Sequence, residues 1–546
     1  MHYRAFFSPP PPPVPVPGNI ATLAENSYAC QSSLCCSIQG VGDFSAGLGT
    51  FGWHNAFAVN DLVVPADFVN PDSYVDILLF DGHGLPGLAY LYDVNQNCFA
   101  TNSNDSWGVG NVAGTFQPYP GAFPITTPPN RLGMPVSGRL KWIIFNSSDT
   151  VAGPSVVDNS PNWDADWRPA FGGSLHGIYG FWQAPGFCSV GDPNRVCDID
   201  ESEGLAVDDA LWSLIYGSTA PLPIHDAFVD AANTAMAGDR WSIWEDANAR
   251  EDALGGPESN PPYATTLSGT LYFYYAQNVL PTPTSSVPIG SETFTLAPYS
   301  LVNEPIGDQA LTTKYQSYLS GAAITSTASV YDVRMPNFEV RHYGGLSGAV
   351  TYHNRANDDP IAFDQTTAQS FAQSFIQQTL GMPSDAVLRA VLKIWKVSVS
   401  SGGAVNVGYE FVYGHEAAIF GSDEIKVIVD DHHTKHTTCS PCAGGCSSWY
   451  TDDPNVSYGY RLWRSFGTLE PVNGSYSRVS ISAKTAATAL PTGSTVIGYT
   501  SGWWMPSYST SSSAGATSAW IFTLSGGARI GIDANSGAVL GATHDE

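Results

Sequence analysis

Two largely apolar runs constrain this chain more than anything else in it. YVDILLF (74–80) leads straight into Asp81-Gly82-His83-Gly84, and LKWIIF (140–145) leads into Asn146-Ser147-Ser148-Asp149. A strand with one wet face alternates apolar and polar residues, and these runs hardly do. They suit strands covered on both faces, as in a parallel sheet flanked by helices. A third strand is predicted over LHGIYGF (175–181), and helices over 201–217 and 225–252, where apolar residues recur every three to four positions. Strands alternating with helices predict an α/β unit, assigned to 27–262. A Pro-rich lead-in, 1–26, precedes it, with a polyproline-II run from Pro9 to Pro13.

The Gly- and Pro-rich stretch 253–266 reads as a boundary, and the texture changes beyond it. Strands are predicted over 266–277, 338–345, 406–414, 424–431 and 518–542, with one amphipathic helix at 366–380. The last of these contains an Asn535-Ser536-Gly537 turn and should fold back as a hairpin. Residues 263–546 are therefore expected to be α+β or mostly β, built as one or two small units.

With 546 residues the chain exceeds a single core, and 43% hydrophobic residues argue against disorder. The formal charge of -27 repels phosphate backbones and anionic membranes, so no nucleic-acid partner is expected. No segment reaches the roughly 18 apolar residues of a membrane-spanning helix. Nine cysteines, several in Gly/Ser/Pro-rich loops, point to disulfides and an oxidising, extracellular setting; Cys188 and Cys197 are a natural pair. The start lacks a signal-peptide core, so secretion presupposes a leader not contained in this sequence. Asn104, Asn146, Asn455 and Asn473 head Asn-x-Ser sequons.

A strand ending in His-Gly, followed by a strand ending in a small residue and a nucleophile, resembles the caspase, legumain and gingipain peptidases. The likeness covers about residues 70–255. The run Trp167–Phe181 is similar to a group of secreted bacterial caspase-like proteins. The resemblance implies that His83 is general base and acid, that the Gly84 N–H contributes to an oxyanion hole, and that Ser148 stands where the nucleophilic cysteine would be. Serine there is a departure: a hydroxyl needs a tightly aligned base, whereas a thiolate is intrinsically nucleophilic. An engineered change, a pseudoenzyme and a true serine hydrolase all remain open readings. Asp81, Asp149, Asp164 and Asp166 are candidates for a rim that receives basic side chains of a peptide or protein. The oligomeric state is not legible.

Further motifs stand apart from that chemistry. Asp430-Asp431-His432-His433-Thr434-Lys435-His436 precedes Cys439, Cys442 and Cys446. The hydrolase requires no cofactor, but His432, His433 and His436 are a candidate site for Zn²⁺ or Cu²⁺, with Ca²⁺ a further candidate for an acidic chain. A disulfide-stapled loop is the alternative for this segment. The closing hairpin is similar to PepSY-type domains, which implies a regulatory or binding role. Trp449, Tyr450, Trp503 and Trp504 are candidate sugar-stacking aromatics. A non-enzymatic extracellular surface, matrix or carbohydrate-binding protein of β-rich domains is the alternative function.

Overall fold

The computed structural model describes residues 18–24, 37–49, 52–59, 75–82, 84–85, 88–91, 107–110, 123–124, 139–147, 150–151, 167, 170–171, 174–183, 211, 222–235, 240–253, 269–280, 285–296, 299–302, 323–326, 330–335, 338–343, 346–354, 356–415, 418–420, 424–439, 446–463, 465–468, 479–505, 517–525 and 529–543. The chain is mostly β, and one large mixed sheet dominates it. Its first part is parallel. β1 (Asn19–Ala24), β2 (His54–Val59), β3 (Ile77–Asp81), β4 (Trp142–Asn146) and β5 (Gly177–Gln183) pair in the order β2-β1-β3-β4-β5. β6 (Arg240–Asp246) then pairs antiparallel with β5.

The apolar runs are covered on both faces, as expected. Ile77 and Leu79 of β3, with Trp142 and Ile144 of β4, belong to the core under helices α1 (Ser37–Gly49) and α2 (Ile224–Ala235). Leu78, Phe80, Ile143 and Phe145 face the opposite core with Trp167 and Ala170. α1 docks through Val41, Phe44 and Leu48, spaced three and four apart, while α2 docks through Ala227, Phe228 and Ala231.

Two elements differ from the sequence reading. The helix expected over 225–252 ends at Ala235, and Arg240–Asp246 is a strand instead. Trp241 and Ile243 enter one core and Trp244 the other, a period of two that a helix cannot deliver. The lead-in expected to reach residue 26 already contains β1 at 19–24, whose Ile20, Ala21, Leu23 and Ala24 are buried. Of the helix expected at 201–217 only Leu211 is described, and it is buried. The Pro9–Pro13 run, Cys188 and Cys197 lie outside the described residues.

Nine more strands extend the sheet: β7 (Leu271–Asn278), β8 (Ala323–Ser326), β9 (Val330–Met335), β10 (Phe338–Tyr343), β11 (Leu346–His353), β12 (Ala386–Ser398), β13 (Ala404–His415), β14 (Glu424–Cys439) and β15 (Cys446–Arg461). They continue antiparallel in the order β6-β7-β12-β13-β14-β15-β11-β10-β9-β8. β6 and β7 flank the boundary expected at 262, yet they are hydrogen-bonded neighbours. α3 (Gln365–Phe375) begins at Asp364, whose side chain accepts from the Thr367 N–H at 2.8 Å, and continues as a π-turn through Leu380. It packs on this second half through Ala368, Ala372, Ile376 and Leu380.

A smaller sheet has its own core. β16 (Val496–Met505), β17 (Thr517–Leu524), β18 (Arg529–Asp533) and β19 (Val539–Thr543) form an antiparallel meander beside helix α4 (Ala483–Ala486). The Asn-Ser-Gly turn closes β18–β19 as expected. Asp533 Oδ1 accepts from the N–H groups of Asn535 and Ser536 at 2.8 and 2.7 Å, and Gly537 takes φ +77°. Trp504 is buried here against Gly531 and Gly541, so its face is not open to a sugar.

Two changes test this packing. A Cβ on Gly459 would lie 2.8 Å from Phe375 Cε1, where α3 rests on β15. Gly459→Ala is expected to lower unfolding free energy by about 1–3 kcal/mol in urea titration, as overpacking generally does. Glu410 on β13 is 1% exposed, and burial pushes its carboxyl up to about 7 despite the attraction of Lys426. The folded state therefore favours the protonated acid. That stability is complete below the unfolded pKa of about 4.3 and is lost as pH rises through 7. Glu410→Gln should flatten the decline in urea midpoint between pH 5 and 8.

Candidate functional site

The carboxyl ends of β3 and β4 meet at one sheet edge. The strands run parallel in unbroken register, from Ile77 opposite Trp142 to Asp81 opposite Asn146. In the order β2-β1-β3-β4-β5 the connections change direction between β1 and β3, so the crevice that open α/β sheets use for ligands lies beside β3, one strand over from the β3–β4 pair. The two turns are tied together as they leave the sheet. Asn146 Nδ2 donates to Asp81 Oδ2 at 3.2 Å, and the Gly82 N–H donates to the Asn146 carbonyl at 3.4 Å.

The loop after β4 is anchored at both ends. Ser147 Oγ lies 2.6 Å from Thr150 Oγ1, and Trp167 Nε1 donates to the Thr150 carbonyl at 2.8 Å. The Val151 N–H donates to Phe181 O at 3.1 Å, and Ser242 Oγ donates to Val151 O. A Cβ on Gly180 would run into Val151 Cγ2 and lie 3.0 Å from Phe145 O, so glycine lets β5 approach this loop.

His83, Ser148, Asp149, Asp164 and Asp166 lie outside the described residues. Gly84 opens a short strand, Gly84–Leu85, paired antiparallel with Leu88–Leu91. Asp81 is only 6% exposed and accepts from Asn146, so it couples the two strand ends instead of offering a rim carboxylate. Asn146 is 2% exposed, and that packing leaves no room for a glycan on it. The LHGIYGF motif is structural. His176 Nδ1 lies 2.8 Å from Asp252 Oδ2, and Tyr179 OH donates to Glu245 Oε1 at 2.7 Å. Burial pushes the Tyr179 hydroxyl well above its usual range, with Glu245 adding to the effect.

The histidine-rich segment, with His432, His433 and His436, belongs to β14. Positions 432 and 436 share one face of the strand, about 13 Å apart at the usual rise, and position 433 is on the other. Among the described residues no group of three or more His, Cys, Asp or Glu could hold a metal. The alternative reading gains from the register, which sets Cys439 directly opposite Cys446.

A second concentration of polar groups, unforeseen from the sequence, sits where α2 meets β6, β7 and β12–β15. His225, Asp226, Asp230, Trp241, Arg250, Tyr274, Asp358, Asp430 and Ser457 line a narrow recess of about 40 Å³. Asp226, Asp230 and Asn233 follow the helical period on α2, and that spacing was the available signal. Asp226 accepts from Arg250 Nη2 at 2.7 Å, and Asp230 lies 2.7 Å from His353 Nδ1. Burial raises Asp230 to about 6 and Asp430 to about 7, against bonds from His353, Asn357 and Asn455. Burial acts on Asp358 in the same sense, but Arg250 and Lys396 hold it down to about 2.

No protein-family model matches the chain, and no curated protein matches it.

Directly opposed residues of an antiparallel pair bring their Cα atoms to about 4.5–5.5 Å, within disulfide range. Peptide mapping of the unreduced protein is therefore expected to yield a Cys439–Cys446 cross-link. A link from Cys442 to either partner, or free alkylation of all three thiols, would contradict it.

Proposed function

We propose that the chain is a secreted caspase-like hydrolase, or a pseudo-hydrolase of that class, which acts on or binds peptides at the edge where β3 and β4 end. His83 serves as base and acid, Ser148 as nucleophile, and the Gly84 N–H as oxyanion donor. One observation carries this reading: Asp81 and Asn146 are paired at the ends of adjacent parallel strands, and His83 and Ser148 each follow by two residues. The mostly parallel β1–β5 set with flanking helices agrees with the caspase-like expectation.

The chemistry follows from these roles. Ser148 Oγ attacks the peptide carbonyl while His83 takes its proton, then returns that proton to the leaving amine. The developing oxyanion receives the backbone N–H. A serine demands close alignment with the imidazole, and the residues flanking it, Ser147, Thr150 and Val151, are held by hydrogen bonds.

Fluorophosphonate labelling followed by peptide mapping should modify Ser148, and His83→Ala should slow labelling by about 10²–10⁴-fold. Ser148→Cys should gain alkylation by iodoacetamide at residue 148 that depends on His83. No label on Ser148, together with alkylation of Ser148→Cys that ignores His83, would end the hydrolase reading.

A further inference from the structure

One face of the antiparallel half carries donors and rings that the fold leaves partly in water. β7 and β12 pair there, with Tyr275 opposite Trp395 and Gln277 opposite Lys393. All four residues are half-buried. Trp395 Nε1 donates to Gln277 Oε1 at 3.1 Å, which fixes the indole on the sheet. Among the described residues the Gln277 Nε2 hydrogens have no acceptor.

The ammonium beside them lacks a counter-charge. Lys393 Nζ lies 5.4 Å from the Trp395 ring centroid and 5.9 Å from that of Tyr409. Both distances are close to the roughly 6 Å limit of a cation–π contact, so the rings hold it weakly. Lys396 has Asp358 at 2.5 Å and Lys426 has Glu424 at 3.6 Å, but among the described residues Lys393 has no carboxylate. With 49 acids against 22 bases in the chain, carboxylates are abundant, and this cation is set among neutral side chains instead. Asp364, which acts on Tyr409 from the start of α3, is committed to the Thr367 N–H.

These groups select an occupant. Lys393 Nζ and Gln277 Nε2, on directly opposed residues, match the two oxygens of a carboxylate, and the charge-assisted bond favours an anion over a neutral carbonyl. The Trp395 and Tyr275 rings beside them suit the C–H side of a ring. A sheet face meets its ligand from one side only. That suits a sugar unit, whose other side stays in water, whereas a free aromatic acid gains its affinity from enclosure. The excess of acids elsewhere is screened beyond about 10 Å at ordinary ionic strength and does not cancel a contact at hydrogen-bond distance.

We propose that this face binds an acidic sugar: a hexuronate ring lies against Trp395, and Lys393 and Gln277 receive its carboxylate. None of these residues belongs to the β3–β4 edge, so the site survives a failure of the hydrolase reading.

Isothermal titration of the full chain with tri-galacturonate tests this, with the methyl-esterified trisaccharide and benzoate as controls. Tri-galacturonate should bind, and added NaCl should weaken it. Lys393→Gln keeps the stem and removes the charge; it should weaken binding about ten-fold, the loss of one charged hydrogen bond, while the thermal unfolding midpoint stays at the wild-type value. Trp395→Ala should cost about three- to ten-fold through lost stacking. No binding of tri-galacturonate, equal binding of its methyl ester, benzoate bound as tightly, or affinity untouched by Lys393→Gln would each overturn the proposal.

Discussion

Everything in the large sheet depends on one strand. β6 is where the parallel half, β2-β1-β3-β4-β5, is joined to an antiparallel half built from the later chain. It is covered on both faces, with Trp241 and Ile243 in one core and Trp244 in the other. Ser242 Oγ donates to the loop after β4, and Glu245 gathers Tyr179 OH and His225 Nδ1 at 2.7 and 2.9 Å. The same short segment thus supports the sheet edge, the helix α2 and the polar recess. A buried carboxylate that fixes three elements is a device for specificity more than for net stability, since desolvation offsets much of its attraction.

The sequence was most readable where one local rule decides the outcome. ILLF and WIIF had to be strands buried on both faces, and their shared edge followed from neighbouring parallel pairing. Asp533 and Gly537 mark their turn by chemistry alone. Legibility failed where neighbours decide. RWSIWED has helix-compatible spacing, and only the cores on either side turn it into a strand. NIATLA looked like the tail of a proline-rich lead because six residues are too few to reveal a period. Of the candidate edge, the strand ends and their Asp81–Asn146 bond were foreseeable as a neighbourhood, though the burial of Asp81 was not. The recess draws on residues from 225 to 457, which no local pattern links.

Charge is distributed in two regimes. The excess of acids that gives -27 is chiefly a matter of solvation, screened beyond about 10 Å at ordinary ionic strength. Around the recess, Asp230 and Asp430 are buried and held above their usual range, while Asp358 is held below it. Environments that push like groups apart within one enclosure are more often met at sites than in inert cores.

The β14–β15 hairpin outruns its support. β13 pairs with β14 only up to Asp430, and β11 pairs with β15 only from Tyr458 onward. Residues 431–439 and 446–454 therefore make a ribbon about 30 Å long with no other described strand alongside. Among the described strands neither margin of this arm has a neighbour, and strand edges of that kind are commonly blunted against pairing with other chains. Pro454, lacking an N–H, blunts one of them. The ribbon's outer reach is thus governed by what its margins refuse as much as by what its two strands share.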